Sequence, residues 1–252
     1  MPLNNSYDEQ EVIKAIATAL ETFYANLIEK IDGLNIKKVM KRKNPYLYRA
    51  KAMQSASEIV ESVLTAFVSS SEETIFGNCF FEPIAIAASG GNKALAEGID
   101  IMIQDKTTNT ISAIAVKSGP SVFNADSKKR QEQNFMAASK LAQQAKARYE
   151  AYIGYCYGKK KDSGRGKPKM YQELAGKRFW AELTGDEDFY IKIIGYMGTM
   201  PEKYVANYKE SYNKAANRLV REFSNSFCKE DGSIDPELFT AIDSQKKSAL
   251  TC

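Results

Sequence analysis

Gly98-Ile99-Asp100-Ile101-Met102-Ile103 and Ile111-Ser112-Ala113-Ile114-Ala115-Val116-Lys117-Ser118-Gly119 flank the polar segment Asp105-Lys106-Thr107-Thr108-Asn109. The outer runs are rich in Ile and the segment between them is turn-forming, which predicts a β-hairpin. With the turn centred near Thr107-Thr108, Asp100 lies across from about Ala115. Side chains alternate along a strand, so positions 115 and 117 share a face on which Asp100 and Lys117 are diagonal neighbours. A carboxylate and a lysine projecting together from a hairpin suit a divalent metal ion and an activated water. They suit a cross-strand salt bridge equally well, and the hairpin alone leaves both readings open.

On the N-terminal side of the hairpin the pattern is helical. Val12, Ile16, Leu20, Phe23, Leu27 and Ile31 recur at three- and four-residue spacing until Asp32-Gly33. After a break at Asn44-Pro45, a second helix is expected to bury Ile59, Val60, Val63, Leu64 and Phe67. Ser69-Ser70-Ser71-Glu72-Glu73 reads as the start of a third, with a serine cap and glutamates on the N-terminal dipole. Pro83 should bend or end it. On the C-terminal side, a polar helix is expected from about Ser127 to Tyr149, then a strand over Ala151–Tyr157 and a glycine- and lysine-rich loop over 158–169. Phe189–Ile194 reads as a further strand, and Pro201–Phe227 as a helix. The expected layout is one domain over 1–252: a helical N-terminal region (1–68), a core (69–200) and a helical C-terminal region (201–252).

The chain has 252 residues, 44% hydrophobic and 26% charged, and no histidine. That is the composition of a globular chain, and it excludes Ser-His-Asp, Cys-His and imidazole-zinc chemistry. Its four cysteines are scattered, without a C-x-x-C pair, so free thiols are expected. No apolar run is long enough for a membrane span, and the N-terminus lacks the charge and apolar run of a signal peptide, so a cytoplasmic location is expected. The net charge is +4, but Lys37, Lys38, Lys41, Arg42 and Lys43, together with Lys159, Lys160, Lys161, Arg165, Lys167 and Lys169 around Asp162, contribute +10 and leave −6 for the remainder. Two such clusters on an otherwise acidic chain predict a phosphate-binding footprint.

Gly98-Ile99-Asp100-Ile101, a spacer and Ala115-Val116-Lys117-Ser118-Gly119 resemble the core of the PD-(D/E)XK nuclease superfamily. Lys43-Asn44-Pro45-Tyr46-Leu47-Tyr48-Arg49-Ala50-Lys51, Ser69 to Gly77, Lys177-Arg178-Phe179-Trp180 and Phe227 to Gly232 extend the similarity to type II restriction endonucleases over most of the chain. The resemblance implies an α/β fold with a restriction-endonuclease-like core, a mixed β-sheet flanked by helices. It also implies Mg²⁺-dependent hydrolysis of phosphodiester bonds in double-stranded DNA at a specific site, by a homodimer. Asp100 and the carbonyl of Val116 would ligate the metal, and Lys117 would position the attacking water.

Two departures stand out: Ile99 replaces the proline of the motif, and Ala115 occupies the place of its second acid. Some superfamily members move that acid to a neighbouring helix. Glu82 and Glu73 on the preceding helix are the first candidates, Glu82 also as a metal ligand, followed by Glu132 and Glu97. The basic residues Lys41, Arg42, Lys43, Lys159, Lys160, Lys161, Arg165 and Lys167 are expected to contact DNA, with Tyr46 and Tyr48 beside the first cluster. A DNA-binding module inactivated by Ala115, and a repair or junction nuclease of the same superfamily, are the alternative readings.

Overall fold

The computed structural model describes residues 3, 4, 6–94, 96–160 and 170–241. Along the chain run α1 (Glu9–Asp32), α2 (Ile36–Met40), α3 (Pro45–Ala50), α4 (Ala56–Cys79), α5 (Phe81–Ser89), β1 (Asn92–Lys93), β2 (Ile101–Asp105) and β3 (Thr110–Lys117). There follow α6 (Ala125–Gln144), β4 (Arg148–Tyr155), β5 (Gln172–Ala175), α7 (Lys177–Thr184), α8 (Phe189–Met197), α9 (Glu202–Phe227) and α10 (Pro236–Ala241). No helix among the described residues is long and apolar enough to cross a membrane.

The chain divides into two compact units, the first comprising Met1–Phe23 with Phe76–Pro201 and the second Tyr24–Ile75 with Glu202–Cys252. In the first, a five-stranded sheet has the order β1-β2-β3-β4-β5. β1-β2 and β2-β3 are antiparallel, whereas β3-β4 and β4-β5 are parallel. A parallel pair needs a crossover, and α6 supplies it between β3 and β4. Its start is fixed by Asn124, whose side chain accepts from Ser127 N–H while the Ser127 hydroxyl accepts from Asn124 N–H. α6 covers one face of the sheet, where Phe135 packs with Ala113, Ala115, Ala151, Ile153 and Tyr155. α7 lies so close to β4 that a Cβ on Gly154 would meet the Phe179 ring at 2.0 Å. The indole N–H of Trp180 donates to the Cys156 carbonyl at 2.9 Å. This is an α/β restriction-endonuclease-like fold.

The second unit is helical. The Tyr24 and Tyr204 rings stack at 4.8 Å, and Phe223, Phe227 and Phe239 form an edge-packed trio. The guanidinium of Arg218 on α9 donates to the carbonyls of Leu34 (2.8 Å) and Asp32 (3.0 Å), and also to that of Ile31 (3.3 Å), which the Leu34 N–H shares at 3.2 Å where α1 ends. Asn44 caps α3, with Pro45 in its first turn, so the break read at this dipeptide is also a helix start.

Four expectations are corrected. The serine run does not begin a helix; α4 continues through it, because the burial pattern of Ile59, Val63, Leu64 and Val68 carries on to Ser71. Pro83 does not end a helix but sits in the first turn of α5, where its missing N–H costs nothing. α6 stops at Gln144, and Tyr149 belongs to β4, which begins at Arg148 and ends at Tyr155. Phe189–Ile194 is helical: Phe189 and Ile193 are the buried pair, four residues apart. The strand beyond β4 is β5, whose four residues are too few to show a period.

Candidate active site

Asp100 is the residue before β2, and its main-chain N–H donates to the Ile114 carbonyl at 2.9 Å. The register Ile101↔Ile114, continued by one residue, sets it across from Ala115 as the turn geometry required. Its approach is shaped by Gly98, which has φ +70°, and a Cβ there would lie 2.1 Å from the Asn134 amide nitrogen on α6. Only glycine accepts both the left-handed backbone and that neighbour. The buried Gln131, also on α6, donates to the Gly98 carbonyl at 2.6 Å. Two amide side chains therefore fix the bend that delivers Asp100. Neither was anticipated; the only signal was a pair of amides three residues apart on a polar helix.

The Asp100 carboxylate accepts the Val116 N–H at 2.6 Å and faces Lys117 Nζ at 3.4 Å. Lys117 Nζ also donates to the Val116 carbonyl at 3.0 Å. Both side chains are mostly buried, at 20% and 27% exposure. Asp100, Val116 and Lys117 line a cavity of about 230 Å³ with Ser118, Val122, Gly77 and Asn78 of α4, and Phe81 and Glu82 of α5. Glu82 is half-buried and pairs with Lys93 on β1 at 3.2 Å. Cys156 is buried nearby, and desolvation pushes its thiol well up, against an opposing pull from Lys117.

The other acids lie elsewhere. Glu73 belongs to the second unit, is exposed on α4 and does not line the cavity. Glu132 accepts the Tyr171 hydroxyl at 3.2 Å, and Glu97 is exposed. Ala115 has no exposure and faces the Phe135, Ile153 and Tyr155 cluster rather than the cavity. The expectation that a carboxylate at 115 would enter the same site is therefore corrected. Strict alternation fails because Asp100 lies beyond the end of β2, after the Gly98 bend.

Among the described residues no group of three or more His, Cys, Asp and Glu is clustered. The cavity offers two carboxylates, a main-chain carbonyl and no soft donor. That donor set fits Mg²⁺, which takes one or two carboxylates and completes its shell with water and phosphate.

The basic residues divide into several groups. Lys159 is exposed, whereas Lys161, Arg165 and Lys167 lie outside the described residues. Lys160 donates to the Pro120 carbonyl at 3.2 Å, sits 3.6 Å from Glu173 and lies 4.7 Å over the Tyr155 ring. The structure thus tethers Lys160 to the protein. Glu173, missed in the sequence, also accepts the Tyr155 hydroxyl at 2.9 Å. In the second unit, Arg42 and Lys43 line a cleft and Lys41 does not. Tyr46 is 72% exposed, but Tyr48 is buried against Phe239.

A model of the family described as type II restriction endonuclease EcoO109I matches residues 10–204. The chain belongs to this family. The matched span contains the hairpin, the cavity and α6, and stops just inside α9. Membership in the EcoO109I family makes the chain a type II restriction-type nuclease in general terms and implies DNA as its binding partner. No curated protein matches the chain.

Proposed function

We propose that the chain is a Mg²⁺-dependent endonuclease that hydrolyses double-stranded DNA at a specific site, acting as a homodimer in the cytoplasm. One observation carries this reading: the Asp100 carboxylate, held by Val116 N–H and Lys117, opens onto a cavity that also takes Glu82. In this reading Asp100, Glu82 and the Val116 carbonyl hold the metal, and Glu82 stands in for the acid absent at Ala115. A divalent ion there supplies Lewis acidity and neutralises charge at the scissile phosphate. Lys117, beside the Asp100 carboxylate, would orient the attacking water and donate to the phosphate oxygens as charge builds on them. Ser118 and Asn78 add neutral donors at the cavity rim. A twofold-symmetric site in a duplex presents two scissile phosphates, which one symmetric pair of chains reaches together.

The test is digestion of plasmid and phage DNA with Mg²⁺, where discrete fragments are expected. Asp100→Asn keeps the shape and removes the charge, and should abolish cutting while leaving duplex binding in chelator intact. Glu82→Gln should lower cutting at least a hundredfold, with Glu132→Gln and Glu73→Gln close to the unmodified protein. Full cutting by Asp100→Asn sinks the site. Binding without any cutting by the unmodified chain would favour the inactive module, the reading that the alanine at 115 supports.

A further inference from the structure

The second unit contains a cleft of about 1000 Å³ between the end of α1, α2 with the turn after it, and α4. One wall carries Lys30, Lys38, Arg42 and Lys43, with Glu29 the single acid among the lining residues. None of these four cations forms an ion pair with another described residue, whereas Lys117, Lys160 and Lys192 in the first unit are all paired. The α4 wall carries exposed Ser70 and the largely buried Ser71, and Asn26 adds an amide from α1. Half-buried Val39, Phe67 and Ile75 supply apolar surface between the two walls.

We infer that this cleft, which shares no lining residue with the cavity that holds Asp100, seats the sugar-phosphate backbone of a DNA duplex. The inference rests on DNA being the substrate, and it adds a surface that the catalytic cavity does not supply. Unpaired cations neutralise phosphates, short hydroxyl and amide side chains donate to their oxygens, and apolar contact suits deoxyribose. An acidic peptide would need matched anions at side-chain length and would leave the serines without a role.

Lys51 and Lys209 are exposed in the same unit but do not line the cleft, which provides a charge-matched control. Binding of a fluorescent duplex of arbitrary sequence is measured by anisotropy in chelator over a range of salt. Lys38→Gln with Arg42→Gln should weaken binding at least tenfold at moderate salt and flatten the log–log salt slope by about 2. Lys51→Gln with Lys209→Gln should change the affinity less than threefold. Ala66→Trp, which fills the cleft without altering charge, should also weaken binding at least tenfold, with its thermal melt showing that it folds. Equal losses from the two double variants, or unchanged binding by Ala66→Trp, would overturn the inference. So would displacement of a poly-glutamate peptide, but not DNA, by the Lys38 and Arg42 changes. The assay needs no cleavage, so a catalytically dead chain still tests the cleft, and a failed cleft leaves the Asp100 site standing.

Discussion

Asp100 accepts a hydrogen bond from Val116 N–H at 2.6 Å, beyond the last β2–β3 pair, so its carboxylate serves the fold as well as the chemistry. Asparagine retains an acceptor for that N–H and alanine does not, which is why the conservative variant is the informative one. At Ala115 the expected result differs from simple restoration of the motif. A glutamate there enters the apolar cluster of Phe135, Ile153 and Tyr155 without a cationic neighbour among those residues. Ala115→Glu should therefore destabilise the chain by about 3–5 kcal/mol and rescue nothing in a Glu82→Gln background. Urea unfolding and a cutting assay check the two halves of that statement. The facing of Asp100 and Lys117 was legible because turn chemistry and strand period fix a register. That Ala115 points away from the Asp100 cavity was not, because Asp100 lies outside β2 beyond the Gly98 bend, which Asn134 and Gln131 meet from a helix thirty residues further on.

At the scale of elements, the long periodic helices and the hairpin were readable from spacing alone, and the short or locally ambiguous segments were not. α8 contains Phe189-Tyr190-Ile191, a β-like composition, yet its burial follows a four-residue step. The serine run inside α4 has capping chemistry, but the apolar face on both sides of it outweighs that local preference. The root of the 158–169 loop shows the same override for charge. Lys160 was read as a phosphate contact, and its ties to Glu173, Pro120 and Tyr155 make it an anchor. Glu173 is almost wholly buried, at 8% exposure, whereas the Lys160 side chain keeps 32%, so solvent screens the pair in part. A double-mutant cycle with Lys160→Gln and Glu173→Gln should return a coupling of about 0.5–1 kcal/mol in chemical unfolding. Lys159→Gln should leave stability unchanged and weaken duplex binding by less than tenfold; a coupling of zero would mean that Lys160 is free to serve DNA instead.

Across the whole molecule, tyrosine burial sets the alkaline limit of stability. Desolvation pushes Tyr149 up to about 12, and burial with the Glu72 charge and hydrogen bond does the same for Tyr208. Tyr7, Tyr152, Tyr155 and Tyr171 are raised as well, burial being the first cause in each. An unfolded tyrosine ionises near pH 10, so above that value the unfolded chain has lost protons that the folded chain keeps. The tyrosine contribution to stability should then hold up to about pH 10 and be lost steadily as pH rises towards 12, which urea unfolding at a series of pH values measures. Stability that stayed unchanged between about pH 10 and pH 12 would contradict this. The second unit carries a different consequence, one of order in time. Arg218 closes the end of α1 across 184 residues of chain from Leu34. On a ribosome adding roughly 5–20 residues per second, that interval lasts on the order of ten to forty seconds. Until Arg218 emerges, the carbonyls of Asp32 and Leu34 are left to water, so the last turn of α1 is the place where the nascent chain waits for its own far end.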